Sequence, residues 1–162
     1  MSYCTYCKTL PEGNHHKIYH DTQYGFPIDD DNELFGRLIL EINQAGLSWD
    51  IILKKQEGFR KAYANYQIKK VAEFDEYSFF DLLQNPEIIR NRLKINAAIH
   101  NAGVILKLQN EHGSFKNWIE HHHPKTKEEW VKIFKKTFKF TGGEIVNEFL
   151  MSTGYLPGAH DP

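Results

Sequence analysis

The sequence has only two cysteines, Cys4 and Cys7, and both lie within its first seven residues. Two neighbouring thiols cannot form the disulfide framework that is typical of small secreted domains. The chain also lacks an N-terminal apolar run of signal-peptide type and any stretch of membrane-spanning length. These absences predict a cytoplasmic protein without a membrane partner.

A large excess of charge of one sign is absent as well, since the 162 residues carry a formal net charge of −1. This balance neither demands nor excludes an anionic partner, and a nucleic-acid binder with it must concentrate its basic residues on one face. The chain contains no internal repeat, low-complexity tract or linker rich in proline, glycine and serine. We therefore expect a single domain over residues 1–162, folded as a monomer.

No long segment alternates apolar and polar residues with a period of two, whereas helical spacing and capping signals recur along the chain. Residues 29–32 supply N-cap candidates for a helix to about Asn43, and Thr126 with Glu129 predicts a capping box. A long helix runs from Leu93 to near Gly113. The sequence thus predicts an all-α fold, with further helices at about 48–57, 58–66, 86–89, 128–138 and 144–153.

Residues 38–49 place one carboxylate, Glu41, inside an otherwise apolar helical run. On a helical wheel Glu41 projects at the edge of the apolar stripe, and an acid aimed toward a core needs a partner, a ligand or a proton. Trp49 follows eight residues later at the same end of the helix, so the two side chains are candidates for a pocket that binds a flat, polar or cationic group. The alternative is an ordinary ion pair with Arg37, one turn earlier, on a solvated flank.

A candidate helix-hairpin-helix follows in the chain. It consists of the short predicted helix 86–89, a tight turn at 90–92 and the long helix after it. In such motifs the backbone N–H groups at the hairpin meet a DNA phosphate, and Arg90, Arg92 and Lys94 would add positive charge there. The alternative is an ordinary helix pair with basic caps, because this turn contains no glycine.

Metal-ligating residue types gather near the N-terminus, at Cys4, Cys7, His15, His16 and His20. Together with His160 they offer the thiolate and imidazole groups that zinc prefers, and a site that joins both ends of the chain would stabilise them. The alternative is a set of surface histidines and unpaired thiols in a mobile N-terminus. Solvated loop histidines are expected at residues 121–123.

The segment Gln44-Ala45-Gly46-Leu47-Ser48-Trp49 forms a specific signature, with an acid three positions before it. With this signature and the terminal cysteine and histidines, essentially the whole chain resembles the DNA-3-methyladenine glycosylase I family, bacterial base-excision repair enzymes of the helix-hairpin-helix superfamily. The other matching positions are Cys4, Tyr19-His20-Asp21, Tyr24-Gly25, Lys54-Lys55, Ile88-Ile89-Arg90, Lys94-Ile95, Phe138-Lys139-Phe140, Gly154 and His160.

The resemblance implies a monofunctional glycosylase that flips 3-methyladenine out of alkylated double-stranded DNA and hydrolyses its N-glycosidic bond. Glu41 matches the family's pocket acid and is by this resemblance the catalytic residue. Gly46 and Leu47 fall where the family inserts a loop into the gap left in the duplex. The base-binding positions that it implies are Glu41, Trp49, Tyr19, Tyr6, Tyr24 and His16, and the predicted DNA-binding residues are Gly46, Leu47, Arg90, Arg92 and Lys94.

The same resemblance implies a structural zinc ion bound by Cys4, His20 and His160. The family's fourth ligand is a cysteine four residues beyond His160, and the sequence ends at Pro162. We therefore expect that ligand to be missing from this chain, with Cys7 or water as the alternative that completes the shell.

Two other functions are compatible with the same residues. The first is a non-enzymatic helix-hairpin-helix module that binds alkylation damage or duplex DNA without releasing a base. The second is a zinc-stapled helical protein with no role on DNA.

Overall fold

The computed structural model describes residues 1–162, which form eleven α-helices, a short 3₁₀ turn at Ala64–Tyr66 and no β-strand. The helices are α1 (Tyr3–Lys8), α2 (His15–Thr22), α3 (Asp31–Gln44), α4 (Trp49–Lys54), α5 (Gln56–Ala62), α6 (Ile68–Ala72), α7 (Glu76–Leu83), α8 (Arg92–His112), α9 (Phe115–His122), α10 (Lys127–Thr137) and α11 (Gly143–Ser152). The prediction of an all-α fold is confirmed. None of these helices combines the length and the apolar character that crossing a bilayer requires.

Helix α3 lies at the centre of the fold, and ten of its fourteen residues are buried. It begins where the Asp30 carboxylate accepts hydrogen bonds from the backbone N–H groups of Asn32 and Glu33, at 2.8 and 3.1 Å. It ends before Gly46, whose φ of 79° lies in the left-handed region that favours glycine. Helices α4, α8, α9 and α11 all pack against α3, so other elements surround it on several sides.

Several predicted helix signals are confirmed. The long helix is α8, which spans 21 residues and begins where the Asn91 side chain accepts a hydrogen bond from Lys94 N at 3.1 Å. The capping box of Thr126 and Glu129 begins α10. Both signals depend on contacts within one turn of helix, which explains why they are readable from sequence.

The predicted short helix at 86–89 is wrong, because residues 84–91 form a loop. The Asn85 side chain accepts a hydrogen bond from Glu87 N at 2.9 Å, and Lys55 Nζ donates to Pro86 O at 2.8 Å. The first bond is the one an N-cap makes, but the Pro86 carbonyl, which a helical turn would direct to Arg90 N, is bound by Lys55 instead. A Cβ atom on Gly58 would lie 2.3 Å from Glu87 O, so this loop packs closely on α5 where that helix has no side chain.

Candidate active site

A cavity of about 670 Å³ opens at the C-terminal end of α3. Residues of α1, α2, α3, α4 and α11 contribute to its wall, together with the loops before α4 and α11. The lining residues are Tyr3, Tyr19, Tyr24, Glu41, Gln44, Ala45, Gly46, Trp49, Gly142, Gly143, Glu144, Ile145 and Glu148. This set contains three glutamates and no lysine, arginine or histidine, so the cavity favours a positively charged occupant.

Glu41 is only 3% exposed, and no basic side chain pairs with its carboxylate within 4.0 Å. Burial raises its pKa from an ordinary value of 4.5 to about 8, against the smaller lowering effect of Arg37, and the neighbouring Glu148 raises it further. A carboxyl group in this state carries a proton at neutral pH when nothing cationic is nearby. A bound cation would take the place of that proton.

The alternative of a solvated ion pair between Glu41 and Arg37 is wrong, because both side chains are buried. Arg37 is 5% exposed, and its Nη1 donates a hydrogen bond to Ser152 O at 3.2 Å. Its guanidinium lies over the Tyr19 ring, 5.2 Å from the centroid. Arg37 therefore acts at a distance as a partial counter-charge to Glu41 and leaves the Glu41 carboxyl free of a direct partner.

Aromatic rings from α2 and α4 form the flat part of the cavity wall. The Tyr19 ring lies 5.2 Å from Trp49 and 5.6 Å from Tyr24, measured between ring centroids. The buried Tyr19 hydroxyl has no hydrogen-bond partner in the protein, and burial raises its pKa well above the ordinary value, so it stays protonated. A buried hydroxyl without a partner is rare, and this one belongs to a residue of the cavity wall.

Two residues that were expected to line the pocket, Tyr6 and His16, lie outside the cavity wall, which corrects that part of the prediction. Tyr6 is 40% exposed and stacks on Tyr3, with 6.4 Å between the ring centroids. His16 Nδ1 pairs with the Tyr3 hydroxyl at 2.9 Å, and His16 Nε2 faces Asp50. Tyr3, which also belongs to α1, lines the cavity instead.

Sequence reasoning missed Tyr3 and the acids of α11. Glu148 is partly buried beside Glu41, and burial raises its pKa. The signal was available for Glu148, which interrupts the apolar run of α11 in the same way that Glu41 interrupts α3. Tyr3 gave no comparable signal, since α1 is a single short helix.

The loop between α3 and α4 forms one rim of the cavity. Gly46 is exposed and Leu47 is partly buried, and the loop is closed by a hydrogen bond from Gln44 Nε2 to Leu47 O at 2.7 Å. The Ser48 side chain then caps α4. The loop is therefore a tight turn, closed by this hydrogen bond, that directly precedes Trp49.

Lys94 does not present its charge to solvent, which corrects its assignment as a DNA-binding residue. It is 5% exposed, and its Nζ donates hydrogen bonds to Asn43 O at 2.8 Å and to Ala45 O at 2.7 Å. These acceptors are the free carbonyls at the C-terminal end of α3, where a cation is favourable. Burial lowers the pKa of Lys94, and its role is to hold the end of α3 against α8. By contrast, Arg90 and Arg92 are exposed.

Cys4, His20 and His160 bring one ligand atom each to a common point, all within 4.8 Å of one another. Cys4 Sγ lies 3.0 Å from His20 Nε2 and 3.9 Å from His160 Nδ1. The second ring nitrogen of His20 pairs with Asp21 Oδ1 at 2.8 Å, and that of His160 pairs with Tyr24 O, as is usual for imidazoles that bind metal. Cys7 is not part of this cluster, and its Sγ donates to His16 O at 3.7 Å.

The chain is similar to known proteins over almost its whole length. Residues 10–136 match the methyladenine glycosylase family. The chain is 31% identical to a protein of Haemophilus influenzae named DNA-3-methyladenine glycosylase, over 94% of this chain and 92% of that protein. It is 32% identical to DNA-3-methyladenine glycosylase 1 of Escherichia coli, over 85% of this chain and 84% of that protein.

Solved structures give the same result. One is a crystal structure of a tyrosine-to-phenylalanine variant of 3-methyladenine DNA glycosylase I in complex with 3-methyladenine. It is similar with a TM-score of 0.85 and 28% identity, over 96% of this chain and 92% of that chain. The 3-methyladenine DNA glycosylase I of Staphylococcus aureus is similar with a TM-score of 0.84 and 29% identity, over 95% and 92% of the two chains.

The burial of Glu41 predicts a pH-dependent cost to stability. Between pH 4.5 and about 8 the unfolded chain has an ionised Glu41 whereas the folded chain keeps the proton. Unfolding then releases a proton, so the free energy of unfolding falls as pH rises through this window. We expect Glu41→Gln to match the parent protein near pH 4.5 and to be more stable by about 4 kcal/mol at pH 8, measured by urea denaturation. Glu73→Gln, at an exposed side chain that forms no ion pair, should show the same difference from the parent at both pH values.

Proposed function

This chain belongs to the methyladenine glycosylase family and acts as a 3-methyladenine DNA glycosylase, and we propose that the unpaired Glu41 in its acidic, aromatic cavity selects the base by charge. Adenine methylated at N3 is cationic while it is attached to the sugar. The buried carboxyl of Glu41 exchanges its proton for that cation, whereas neutral adenine offers no charge to compensate the burial of a carboxylate. The burial of Glu41 without a direct partner is the observation on which this proposal depends.

The aromatic wall supplies the remaining recognition. The Trp49 and Tyr19 rings, which line the cavity, would contact a flat base, and a cationic ring is attracted to an aromatic face more strongly than a neutral one. The Tyr19 hydroxyl, which has no partner in the protein, would hydrogen-bond an edge of the base. Glu148 adds a second negative group on the opposite helix, α11.

We propose that the flipped nucleotide loses its base to water, without a covalent intermediate on the protein. The bond between C1′ and the base nitrogen breaks, the electron pair neutralises the cationic base, and a water oxygen bonds to C1′ with loss of its proton to solvent. Glu41 holds the base in place and its negative charge faces the positive sugar that forms as the bond breaks. A lysine nucleophile is not part of the proposal, since none of the cavity residues is a lysine.

We propose that α7, the loop at 84–91 and α8 together form the helix-hairpin-helix that binds the duplex. The exposed Arg90 and Arg92 and the N-terminus of α8 would meet backbone phosphates there. The rim loop with Gly46 and Leu47 would enter the gap that the flipped base leaves. The wall formed by one chain already contains the acid and the aromatic rings, which supports our proposal that the enzyme acts as a monomer.

We also propose that Cys4, His20 and His160 hold a structural zinc ion. Their donor set of one thiolate and two imidazoles suits zinc, and both histidines have their second nitrogen fixed by hydrogen bonds. The ion would tie the C-terminal segment to α1 and α2. These two helices carry Tyr3 and Tyr19 of the cavity wall. Its role would be in folding and not in the chemistry.

Release of free 3-methyladenine from alkylated duplex DNA tests the proposed mechanism. We expect Glu41→Gln to lower kcat/KM at least about tenfold, because the charge that recognises the base is lost. Trp49→Ala should lower it about 10- to 100-fold through loss of stacking. Glu120→Gln, at an acid outside the cavity, is the matched control and should excise at the parent rate. Full activity of Glu41→Gln would remove this residue from the mechanism.

Salt-dependent binding to duplex DNA tests the hairpin. The double variant Arg90→Ala, Arg92→Ala should make the slope of log K against log salt less negative by about 2, since two phosphate contacts are lost. Lys94→Met should leave that slope unchanged, because the Lys94 charge is buried against α3. A normal slope in the double variant, or a reduced one in Lys94→Met, contradicts the assignment.

Metal content and thermal stability test the zinc proposal. Cys4→Ser should lose one bound zinc ion per chain and lower the thermal midpoint by about 5 °C or more. Cys7→Ala also removes a buried thiol but should keep the ion, since Cys7 lies outside the cluster. Equal zinc content in the two variants would argue against Cys4 as a ligand.

A further inference from the structure

A second group of metal-ligating side chains lies where α2 packs on α4. His15 Nε2 lies 2.7 Å from Asp50 Oδ1, and His16 Nε2 lies 3.2 Å from the same oxygen. The three ligand atoms all lie within 4.8 Å of one another. This group shares no residue with the cavity wall or with the cluster of Cys4, His20 and His160.

We propose that His15, His16 and Asp50 form a binding site for a divalent transition-metal ion such as Zn²⁺. Two imidazole nitrogens and one carboxylate oxygen leave a fourth position for water, which is the arrangement of an open zinc site. The site differs in chemistry from the cluster at Cys4, because it contains no thiolate. It therefore also accepts ions that prefer nitrogen and oxygen ligands, such as Co²⁺ and Ni²⁺.

The groups behind the ligands hold them in the orientation that a metal requires. The Tyr3 hydroxyl pairs with His16 Nδ1 at 2.9 Å, which leaves His16 Nε2 for the ion. Lys54 Nζ lies 2.9 Å from Asp50 Oδ2, which leaves Oδ1 for the ion and offsets part of the carboxylate charge. Partners of this kind fix the ring orientation and support affinity in known metal sites.

The site is open to solvent at two of its three ligands. The side chains of His15 and Asp50 are 35% and 41% exposed, which gives an ion access from solvent.

The site is connected to the cavity through two residues of its wall. Tyr3 lines the cavity and bonds to His16, and Asp50 directly follows Trp49 in α4. An ion at the site would therefore fix α1, α2 and α4 relative to one another on the aromatic side of the cavity. Trp49 is one of three tryptophans in the chain, and its share of the emission is a readout of occupancy, because a paramagnetic ion at Asp50 would quench the neighbouring indole.

Titration of the metal-free full-length chain with Co²⁺ tests the proposal. We expect one equivalent to bind with visible absorption that lacks a thiolate charge-transfer band, and Trp49 emission to fall in step. Asp50→Asn and His15→Gln should each lose this equivalent or bind it at least tenfold more weakly, and Tyr3→Phe should weaken it about tenfold. Cys4→Ser should keep it, as should His112→Gln, a histidine outside the cluster.

The titration distinguishes this site from the one proposed at Cys4. Loss of the thiolate band alone in Cys4→Ser, with the thiolate-free equivalent intact, supports two separate sites. Unchanged cobalt binding in Asp50→Asn and in His15→Gln would overturn the proposal, as would a parent protein whose only bound cobalt shows the thiolate band. Should one of the two variants not fold, the other decides.

Discussion

A single carboxyl group, Glu41, is buried at the end of the central helix without a direct partner. In a protein that only had to be stable, this position would be apolar, since an ionisable group here weakens the fold as pH rises. In the mechanism that we propose, this cost is tolerated because the partner of Glu41 is the substrate. A cationic purine would supply the missing positive charge, and a neutral base would not.

The residues around Glu41 leave its carboxyl group without a direct partner. Arg37 is buried one turn away, but it is engaged with Ser152 O and with the Tyr19 ring and forms no ion pair with the acid. A direct pair would satisfy Glu41 and abolish its preference for a cation, whereas complete removal of the positive charge would make ionisation harder still. Arg37 at its present place moderates the pKa of Glu41 and leaves the carboxyl available.

Lys94 joins the cavity to the predicted DNA-binding hairpin. It belongs to the first turn of α8, next to the exposed Arg92, and its ammonium group caps the last carbonyls of α3. The helix that would contact phosphate is thus bonded directly to the helix that carries Glu41. A basic residue that looks like a DNA contact in the sequence instead provides a rigid link between the two parts of the site.

The sequence by itself determined the all-α fold, the bounds of α3, the capping box of α10 and the length of α8, because these features depend on residues within one or two turns of each other. It also determined that Glu41 and Trp49 are found at one end of α3. Only the tertiary structure decided that Arg37 and Lys94 are buried, that residues 84–91 form a loop, and that Tyr3 replaces Tyr6 and His16 in the cavity wall. A helical wheel gives the direction of a side chain but not which neighbour meets it there. Long basic side chains and rings on short helices are therefore placed by packing between elements that lie far apart in the chain.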